Sequence, residues 1–503
     1  MQEPTFSETP GDEPVGRAPG RLLSFFAGPF AAATVYFLPF PSLSPDAHML
    51  AAIMAAVVIY WIAEPIPLPI TALLGTAFCV LAGLGSAKSV FASYAHPIIF
   101  LFMGSFLLAE AMAVHGLDRR FAAWMLSFAW VGGRPRRILL AIGMVTALIS
   151  MWVSNTATTA LMLPIALGVL ATIRETPANE LGGFRIGLML MLSYGATAGG
   201  MATIVGTPPN LIGTALIAQQ AGVSISFMTW TAVGLPLAMF MLLVAWAVLT
   251  WLHPAETSVL SGLRQHQQEQ KLGLVPWTSG QVNASVAFGT AVVLWVMPGL
   301  IAAIWGSDNT LTIWLDTHVP KELVAILAAG LLFLLPTNLS KGEWTLSWKQ
   351  AAGINWGIII LFGGGLAFGE LMVKTGLSNS IGQGVVALFG SQTVWSLTAG
   401  SIVVAVLVSE LVSNTATASM VIPVVIAIAQ SADIPPVAPA LGACLGASLG
   451  FALPVSTPPN AIVYGTGFVP IKSMLRTGLL YDLLGAILIW ITLRLLCPVL
   501  GLV

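Results

Sequence analysis

Long apolar stretches, separated by short polar segments, run through most of this chain. Several approach or exceed the roughly 17–25 residues that a membrane-spanning helix requires: Leu22–Phe40, Met49–Ala63, Ile70–Gly83, Phe227–Leu252 and Leu479–Val499. Two others, Ile138–Ile173 and Ser396–Ala429, are too long for one span and are polar near their centres. We interpret each of these two as a re-entrant hairpin. The whole pattern predicts an all-α polytopic membrane protein with about 11 transmembrane helices.

The composition agrees with this pattern and excludes several classes of function. The chain has 503 residues, of which 57% are hydrophobic and 8% charged, and its mean hydropathy is +0.91. Such a chain has mostly lipid as its solvent. The formal net charge is −1 and there is no basic stripe, which argues against nucleic acid as a partner. Three cysteines at unrelated spacings argue against a disulfide framework or a zinc site.

The positive charges orient the predicted helices. If the amino terminus is cytoplasmic and each hairpin returns to the side it entered from, 15 of the 19 Lys and Arg residues are cytoplasmic, as the positive-inside rule requires. Residues 1–20 are then a disordered cytoplasmic tail, and residues 253–280 form a cytoplasmic linker. Arg17 and Arg21 also fit a signal peptide, but the many later spans favour a retained first helix. We expect an integral protein of the plasma (inner) membrane.

Three sequence matches recur in one order at nearly one offset. They pair Phe100–Leu117 with Ile360–Leu377 at an offset of 260, Ser154–Pro164 with Ser413–Pro423 at 259, and Thr207–Asn210 with Thr457–Asn460 at 250. Residues 21–252, with a leading helix, and residues 281–503 are therefore predicted to be two repeats. The first hairpin enters from the cytoplasm and the second from outside, so the repeats are inverted, as in many secondary transporters.

The duplicated Ser-Asn-Thr and Thr-Pro-Pro-Asn strings interrupt helices at membrane depth. Unwound backbone is tolerated there only where it lines a cavity or is buried in protein, so we expect these strings to surround a polar cavity. Restarting helices present free N–H groups that bind anions, and the carbonyls that end the preceding half-helices suit a small cation. The residues predicted to cap the restarting helices are Ser154, Asn155, Thr207, Ser413 and Asn414.

Basic residues are missing from the sequence around all four strings. No Lys or Arg occurs in residues 138–173, 186–262 or 375–471. An anion bound there must be held by N–H groups, hydroxyls and amides, together with any cation that binds beside it. Asp and Glu are also missing from the membrane parts of the first two windows, so a carboxylate proton relay has little to work with. Sodium is therefore the favoured coupling ion.

Other polar residues have structural as well as functional interpretations. Ser and Thr in membrane helices often bond to a preceding carbonyl, and only the duplication of the motifs favours a site. Glu110 and Glu370 are repeat mates for which helix pairing and a cavity role both remain open. Glu64 lies at the end of a predicted span, where a position at the membrane interface is expected. Glu410 either influences a cation site or contacts water. The six scattered histidines and the glycine-rich strings are interpreted as structural.

At these residues the chain resembles the divalent anion/sodium symporter family. Paired SNT motifs are the hallmark of that family, and the two TPPN strings match its companion motif. The strings WIAEPIPLPITALL (Trp61–Leu74), LFMGSFLLAEAM and NWGIIILFGGGLA fit its pattern as well. The resemblance covers nearly the whole chain after residue 20. It implies a homodimer in which a transport domain moves against a scaffold domain by an elevator motion.

The resemblance also implies a set of binding residues, with one sodium site in each repeat. The first sodium site would use Ser150, Ser154, Asn155 and the carbonyl of Gly206, and the second Ser409, Asn414 and the backbone at Val412 and Ser456. Relatives often carry Ala where this chain has Ser456. The substrate carboxylates would meet Asn155, Thr156, Asn414 and Thr415, with Thr207 and Thr457 close by.

These observations predict a secondary active transporter that imports C4-dicarboxylates such as succinate, malate and fumarate together with Na⁺. Two facing helix restarts suit an anion with a carboxylate at each end, although a sulfate/sodium symporter and a sodium-independent dicarboxylate exchanger remain alternatives. Citrate is disfavoured because no extra cationic residue lies near the motifs. A membrane enzyme would need a nucleophile or metal cluster at membrane depth, and a channel fits the broken repeats less well than alternating access does.

Overall fold

The described part of the chain is mostly helical, as expected where hydrocarbon leaves backbone groups no water to bond. The computed structural model describes residues 19–126, 134–172, 183–255, 276–306, 308–389 and 393–503. Most of the predicted tail and of the predicted 253–280 linker lie outside these ranges. The tail prediction was wrong at its end, because Pro19 and Gly20 already belong to the first helix.

The first half of the described chain contains eleven helices, counted within the ranges above. They are α1 (Pro19–Phe37), α2 (Pro45–Ala63), α3 (Leu68–Leu81), α4 (Ala87–Ala92), α5 (Pro97–Val114), α6 (Leu117–Leu126), α7 (Pro135–Ser150), α8 (Asn155–Thr172), α9 (Phe184–Gly200), α10 (Pro208–Leu216) and α11 (Phe227–Leu252). A 3-10 turn, Ser93–Ala95, precedes α5, and a π-helical turn, Ile217–Ala221, follows α10.

The second half continues with helices and one small sheet. The helices are α12 (Ser279–Trp305), α13 (Thr310–His318), α14 (Lys321–Leu334), α15 (Trp348–Ala351), α16 (Trp356–Thr375), α17 (Leu377–Phe389), α18 (Val394–Leu411), α19 (Asn414–Ser431), α20 (Val437–Gly446), α21 (Pro458–Gly465) and α22 (Ile471–Val499). Strand β1 (Pro336–Asn338) pairs antiparallel with β2 (Glu343–Trp344), and a 3-10 turn, Leu339–Lys341, joins them. The prediction of an all-α chain was therefore wrong at this short hairpin.

Eight helices in the described part of the chain are long and apolar enough to cross a membrane. Shorter apolar helices accompany them, including α3, the first part of α8, and α20. Large apolar side chains such as Phe30, Phe240 and Leu495 are exposed on the outer surface of the fold. An exposed apolar surface of this kind suits lipid as its solvent. The chain is thus a largely helical membrane protein.

The order of elements is duplicated around the two interrupted regions. Helices α5 to α11 recur as α16 to α22, including a break before each SNT string and a non-helical loop before each TPPN string. In the first copy α7 and α8 are separated at Met151–Ser154, and in the second α18 and α19 are separated at Val412–Ser413. We call these two breaks the first tip and the second tip.

Close backbone packing holds α9 against α7 just below the first tip. A Cβ atom built on Gly199 would lie 2.1 Å from the carbonyl oxygen of Ala147. Backbone atoms cannot move aside as a flexible side chain can, so only glycine fits here. Close packing is therefore the role of the glycine at the start of the string Gly199–Gly206, which agrees with the structural interpretation of this string.

Gly199→Ala is expected to destabilise the protein by about 1–3 kcal/mol, the usual cost of inserting a methyl group into a packed core. Thermal unfolding of the purified protein in detergent measures this effect. The matched control is Gly168→Ala in α8, where a Cβ atom would meet nothing within 4 Å. We expect the control to unfold at or above the wild-type temperature, and equal melting of both variants would contradict the packing argument.

Candidate functional site

The two tips are built by the same side-chain hydrogen bond. Ser150, the last residue of α7, donates from Oγ to Oδ1 of Asn155 at 2.8 Å. In the second copy Ser409 Oγ donates to Asn414 Oδ1, also at 2.8 Å. Both serines are fully buried. Each bond links the two half-helices across the break and places a hydroxyl and an amide oxygen together.

The helices that restart at the tips are capped by serine and not by asparagine. The backbone N–H of Ala157 donates to Ser154 Oγ at 3.3 Å, and that of Ala416 donates to Ser413 Oγ at 3.3 Å. Asn155 and Asn414 were also predicted as caps, which was wrong, because each is the first helical residue and turns its side chain toward the preceding half-helix. Asn414 Nδ2 additionally donates to the carbonyl of Ser448 at 3.2 Å.

The two TPPN strings begin short helices, and their asparagines fasten the loops that come before them. Asn210 Nδ2 donates to the carbonyls of Gly200 and Thr203, both at 2.8 Å. Asn460 Nδ2 donates to the equivalent carbonyls of Gly450 at 2.9 Å and Leu453 at 3.0 Å. The sequence pattern predicts no role for these asparagines, although their recurrence in TPPN at an offset of 250 marks them as equivalent. The duplication therefore extends to individual hydrogen bonds.

The two capping threonines differ from each other. Thr457 Oγ1 accepts from the N–H of Asn460 at 3.4 Å. Thr207 occupies the same position with Pro208 as the first helical residue, but its side chain makes no capping hydrogen bond. The prediction that Thr207 caps α10 was thus right for its position and wrong for its side chain.

Both tips and both TPPN strings line one cavity of about 660 Å³, which we call the central cavity. Most of the predicted site residues line it, together with the predicted cap Ser413: Ser154, Asn155, Thr156, Gly206, Thr207, Asn414, Thr415, Ser456 and Thr457. Ser150, Ser409 and Val412 are buried and do not line it. Residues 259 or 250 positions apart in sequence are thereby brought together around one space.

The remainder of the cavity wall comes from residues outside the motifs. Trp152 lies at the first tip, Ser105 and Phe106 lie on α5, and Asn355 precedes α16. Glu64 also lines the cavity, which sequence reasoning did not anticipate because it placed this residue at the membrane interface. Among the described residues of the wall, none is Lys, Arg or His.

The second copy has a pair of carboxyl groups that the first copy lacks. Glu410 Oε1 accepts from the N–H of Ala452 at 3.0 Å, and its Oε2 accepts from Ser456 Oγ at 2.9 Å. Asp482, on α22, accepts from the N–H groups of Gly450 and Phe451 at 3.1 and 3.2 Å, and its carboxyl group neighbours that of Glu410. Met151 occupies the position of Glu410 in the first copy. The loop between α20 and α21 is therefore held through its backbone N–H groups, as well as through the carbonyls to which Asn460 donates.

The other glutamates singled out in the sequence lie away from the cavity. Glu370 accepts from Ser93 Oγ at 3.2 Å, which is a contact between neighbouring segments. Glu110 is partly buried on α5 and does not line the central cavity. Within the described ranges, His, Cys, Asp and Glu form no group of three or more that could hold a metal ion.

The oxygen atoms at the tips are a chemically suitable set for sodium. Hard cations prefer carbonyl, carboxylate, hydroxyl and water oxygens. Each tip brings a serine hydroxyl within 2.8 Å of an asparagine amide oxygen. The last carbonyls of a broken helix have no partner within it, and at these breaks those of Met151 and Glu410 accept from the hydroxyls of Thr203 and Ser456.

Comparison with known protein families shows which family this chain belongs to. The model of the sodium:sulfate symporter transmembrane region matches residues 21–503. The chain belongs to this family. It is accordingly a membrane transporter and not an enzyme, as its relatives are transporters too.

Curated relatives match over almost their whole length. A sodium-dependent dicarboxylate transporter of Staphylococcus saprophyticus is 31% identical, over 95% of this chain and 92% of the relative. The corresponding transporter of Staphylococcus aureus strain USA300 is 30% identical over the same shares. An uncharacterized transporter of Haemophilus influenzae is 32% identical over 90% of this chain and 92% of the relative.

Among solved structures, the YdaH transporter of Alcanivorax borkumensis has a similar fold. Its TM-score is 0.55, and the match covers 94% of this chain and 98% of that one. The sequence identity is 13%, so the likeness concerns the fold alone.

Proposed function

We propose that this protein couples the import of C4-dicarboxylates such as succinate, malate and fumarate to sodium. The observation that carries the proposal is the pair of matching half-sites around one 660 Å³ cavity whose described wall contains no Lys, Arg or His. A doubly charged anion in such a site needs positive charge from another source. Sodium ions bound at the two tips supply it. The relatives named sodium-dependent dicarboxylate transporters support this assignment.

Each repeat contributes one sodium site in this proposal. The first consists of Ser150, Ser154, Asn155 and the carbonyl of Gly206. The second consists of Ser409 and Asn414 with the backbone at Val412 and Ser456. The 2.8 Å serine–asparagine bonds support both sites, because they hold two ligand oxygens in place before a cation arrives. Such preorganisation lowers the cost of binding.

The anion lies between the two sodium sites, with one carboxylate toward each tip. Thr156 and Thr415, one residue beyond the asparagines, and Thr207 and Thr457 offer hydroxyls to it. Asn155 and Asn414 belong to both the cation and the anion sites. The beginnings of α8, α10, α19 and α21 add free N–H groups and the positive ends of helix dipoles. A few neutral hydrogen bonds at each end are enough once sodium balances the charge.

Transport follows from alternating access by the two repeats. We propose that the repeats have opposite orientations in the membrane, with a cytoplasmic amino terminus. The part that carries both tips moves as an elevator against a scaffold, in a homodimer. The element-by-element duplication of α5–α11 as α16–α22 supports this arrangement. Broken helices that meet near the middle of the membrane are typical of transporters with inverted repeats.

Sulfate is the second candidate substrate, because the matching family is described by sodium:sulfate symport. Its four oxygens could be held by N–H groups alone. The two separated tips favour a longer anion with a charge at each end.

Competition distinguishes the two anions. Excess succinate or malate is expected to suppress the uptake of labelled succinate in sodium at about neutral pH, while excess sulfate or citrate leaves most of it. The experiment uses purified protein in proteoliposomes, with sodium gluconate as the ionic-strength control. Competition by sulfate without competition by malate would overturn the dicarboxylate assignment and leave the proposed site intact.

A further inference from the structure

Glu64 carries an isolated negative charge on the wall of the central cavity. Among the described residues that line the cavity it is the sole residue with an ionisable side chain. The residue is exposed, and its carboxylate has no hydrogen bond or salt bridge among the described residues. Its backbone N–H donates to the carbonyl of Tyr60 at 3.0 Å and ends α2.

The backbone at Glu64 has a conformation that its residue type does not favour. Its φ is 44° and its ψ is 45°, in the left-handed region. Glycine or asparagine usually occupies such a helix end, and Pro65 directly after it disfavours this region further. Strained residues of this kind persist where the surrounding structure holds them, and they concentrate at functional sites. If residue 64 only had to form this turn, glycine would adopt its left-handed backbone conformation at a lower cost.

The connection that carries Glu64 is held in place on the cavity wall. Pro65 and Pro67 stiffen this connection to α3, and Trp61 Nε1 donates to the carbonyl of Leu68 at 3.3 Å across it. The backbone of Glu64 is thus anchored beside the cavity that the residue lines. Leu68 and Pro69, at the start of α3, line the same part of the wall.

A carboxylate in this position opposes an anion and attracts a cation. Because no described residue of the wall is basic, Glu64 makes the potential of the cavity more negative than a neutral residue would, and it opposes the positive helix ends there. We propose that Glu64 attracts sodium into the central cavity and raises the occupancy of the two tip sites. This inference rests on the proposed sodium-coupled function and adds to it a residue outside both motifs.

The inference is tested by measuring how sodium raises the unfolding temperature of the purified protein. In detergent both ends of the protein meet the same solution, so its orientation does not matter. Ligands that bind only the folded state raise its stability with their concentration. Glu64→Gln is expected to raise the sodium concentration for half-maximal stabilisation roughly threefold, the effect of one charge in a largely solvated cavity. Choline chloride replaces sodium chloride to keep ionic strength constant. In about 0.5 M choline chloride the difference should shrink through screening.

Three further variants separate charge from backbone conformation. Glu64→Asp keeps the charge and is expected to retain the wild-type sodium dependence. Glu64→Gly suits the left-handed backbone, folds without the strain, and is expected to need as much sodium as Glu64→Gln. Glu343→Gln removes an exposed carboxylate outside the cavity and should change nothing. A wild-type sodium dependence in Glu64→Gln, or a change in Glu64→Gly alone, would overturn the inference.

Uptake by the wild-type protein separates this inference from the function on which it rests. If sodium neither stabilises the wild-type protein nor drives succinate uptake, the proposed function fails. If sodium does both and Glu64→Gln behaves as the wild type, the inference about Glu64 alone fails.

Discussion

Asn155→Ala and Asn414→Ala are each expected to reduce sodium-driven succinate uptake to background while the protein remains folded. Each substitution removes an amide oxygen that accepts from a buried serine at 2.8 Å. Asn155→Ala also removes that acceptor from the hydroxyl of Ser150, and an unpaired buried group costs about 1–3 kcal/mol; Ser409 keeps the carbonyl of Ala447 as an acceptor at 2.8 Å. Loss of a sodium ligand and an anion contact adds to this cost. We expect a fall of roughly 100-fold or more, since about 1.4 kcal/mol corresponds to tenfold.

The matched control for these variants is Asn309→Ala. Asn309 caps α13 by accepting from the N–H of Leu311 at 2.8 Å, and it does not line the central cavity. It loses a helix cap worth about 1 kcal/mol and should keep transport. Gel filtration and thermal unfolding establish that all three variants fold. Near-normal uptake by either tip variant would show that the SNT strings serve packing alone.

Replacing sodium by choline or potassium is expected to lower succinate uptake into proteoliposomes by at least roughly tenfold, within the range of about 5–150-fold that coupling between two ligands usually produces. The physical reason is the charge of the central cavity. Its described wall holds no basic side chain, and Glu64 adds a negative charge. A dianion entering alone would be repelled and poorly neutralised, whereas sodium at both tips balances it.

The sodium experiment also decides between symport and exchange. Vesicles preloaded with unlabelled succinate provide the control, because an exchanger takes up label against internal substrate without sodium. Equal uptake in sodium, choline and potassium by preloaded vesicles would contradict coupling and favour the exchanger. Uptake that needs sodium with or without internal succinate supports symport.

The helix breaks and the duplication could be predicted from sequence because they depend on local chemistry. Ser-Asn-Thr offers a cap where an apolar helix would otherwise continue, and Pro208 cannot donate a backbone hydrogen bond. Both signals lie within a few residues of their effects. Their recurrence at offsets of 259 and 250 then marked two copies of one unit. Membership of the family follows from the same motifs and is confirmed by the match over residues 21–503.

Which atoms meet at the site was less accessible from sequence. Asn155 and Asn414 line the central cavity, but the motif pattern by itself predicted that their side chains cap the helices, whereas they turn toward Ser150 and Ser409. A side chain at the start of a helix can turn either way. The packing of the preceding half-helix decides between the two, and local pattern does not encode that packing.

The positions at which this chain leaves the helical state can be predicted from local sequence, because glycine, proline and capping residues act on their immediate neighbours. Which of these interruptions share a cavity, and which charged residues lie beside them, depends on how the helices pack. Glu64 lies some 90 residues before the first SNT string, yet it lines the same space. Asp482 accepts hydrogen bonds from the loop between α20 and α21, and the first copy has no equivalent of the neighbouring Glu410. Contacts between distant segments arise from the packing of whole helices, which periodicity along one helix cannot specify.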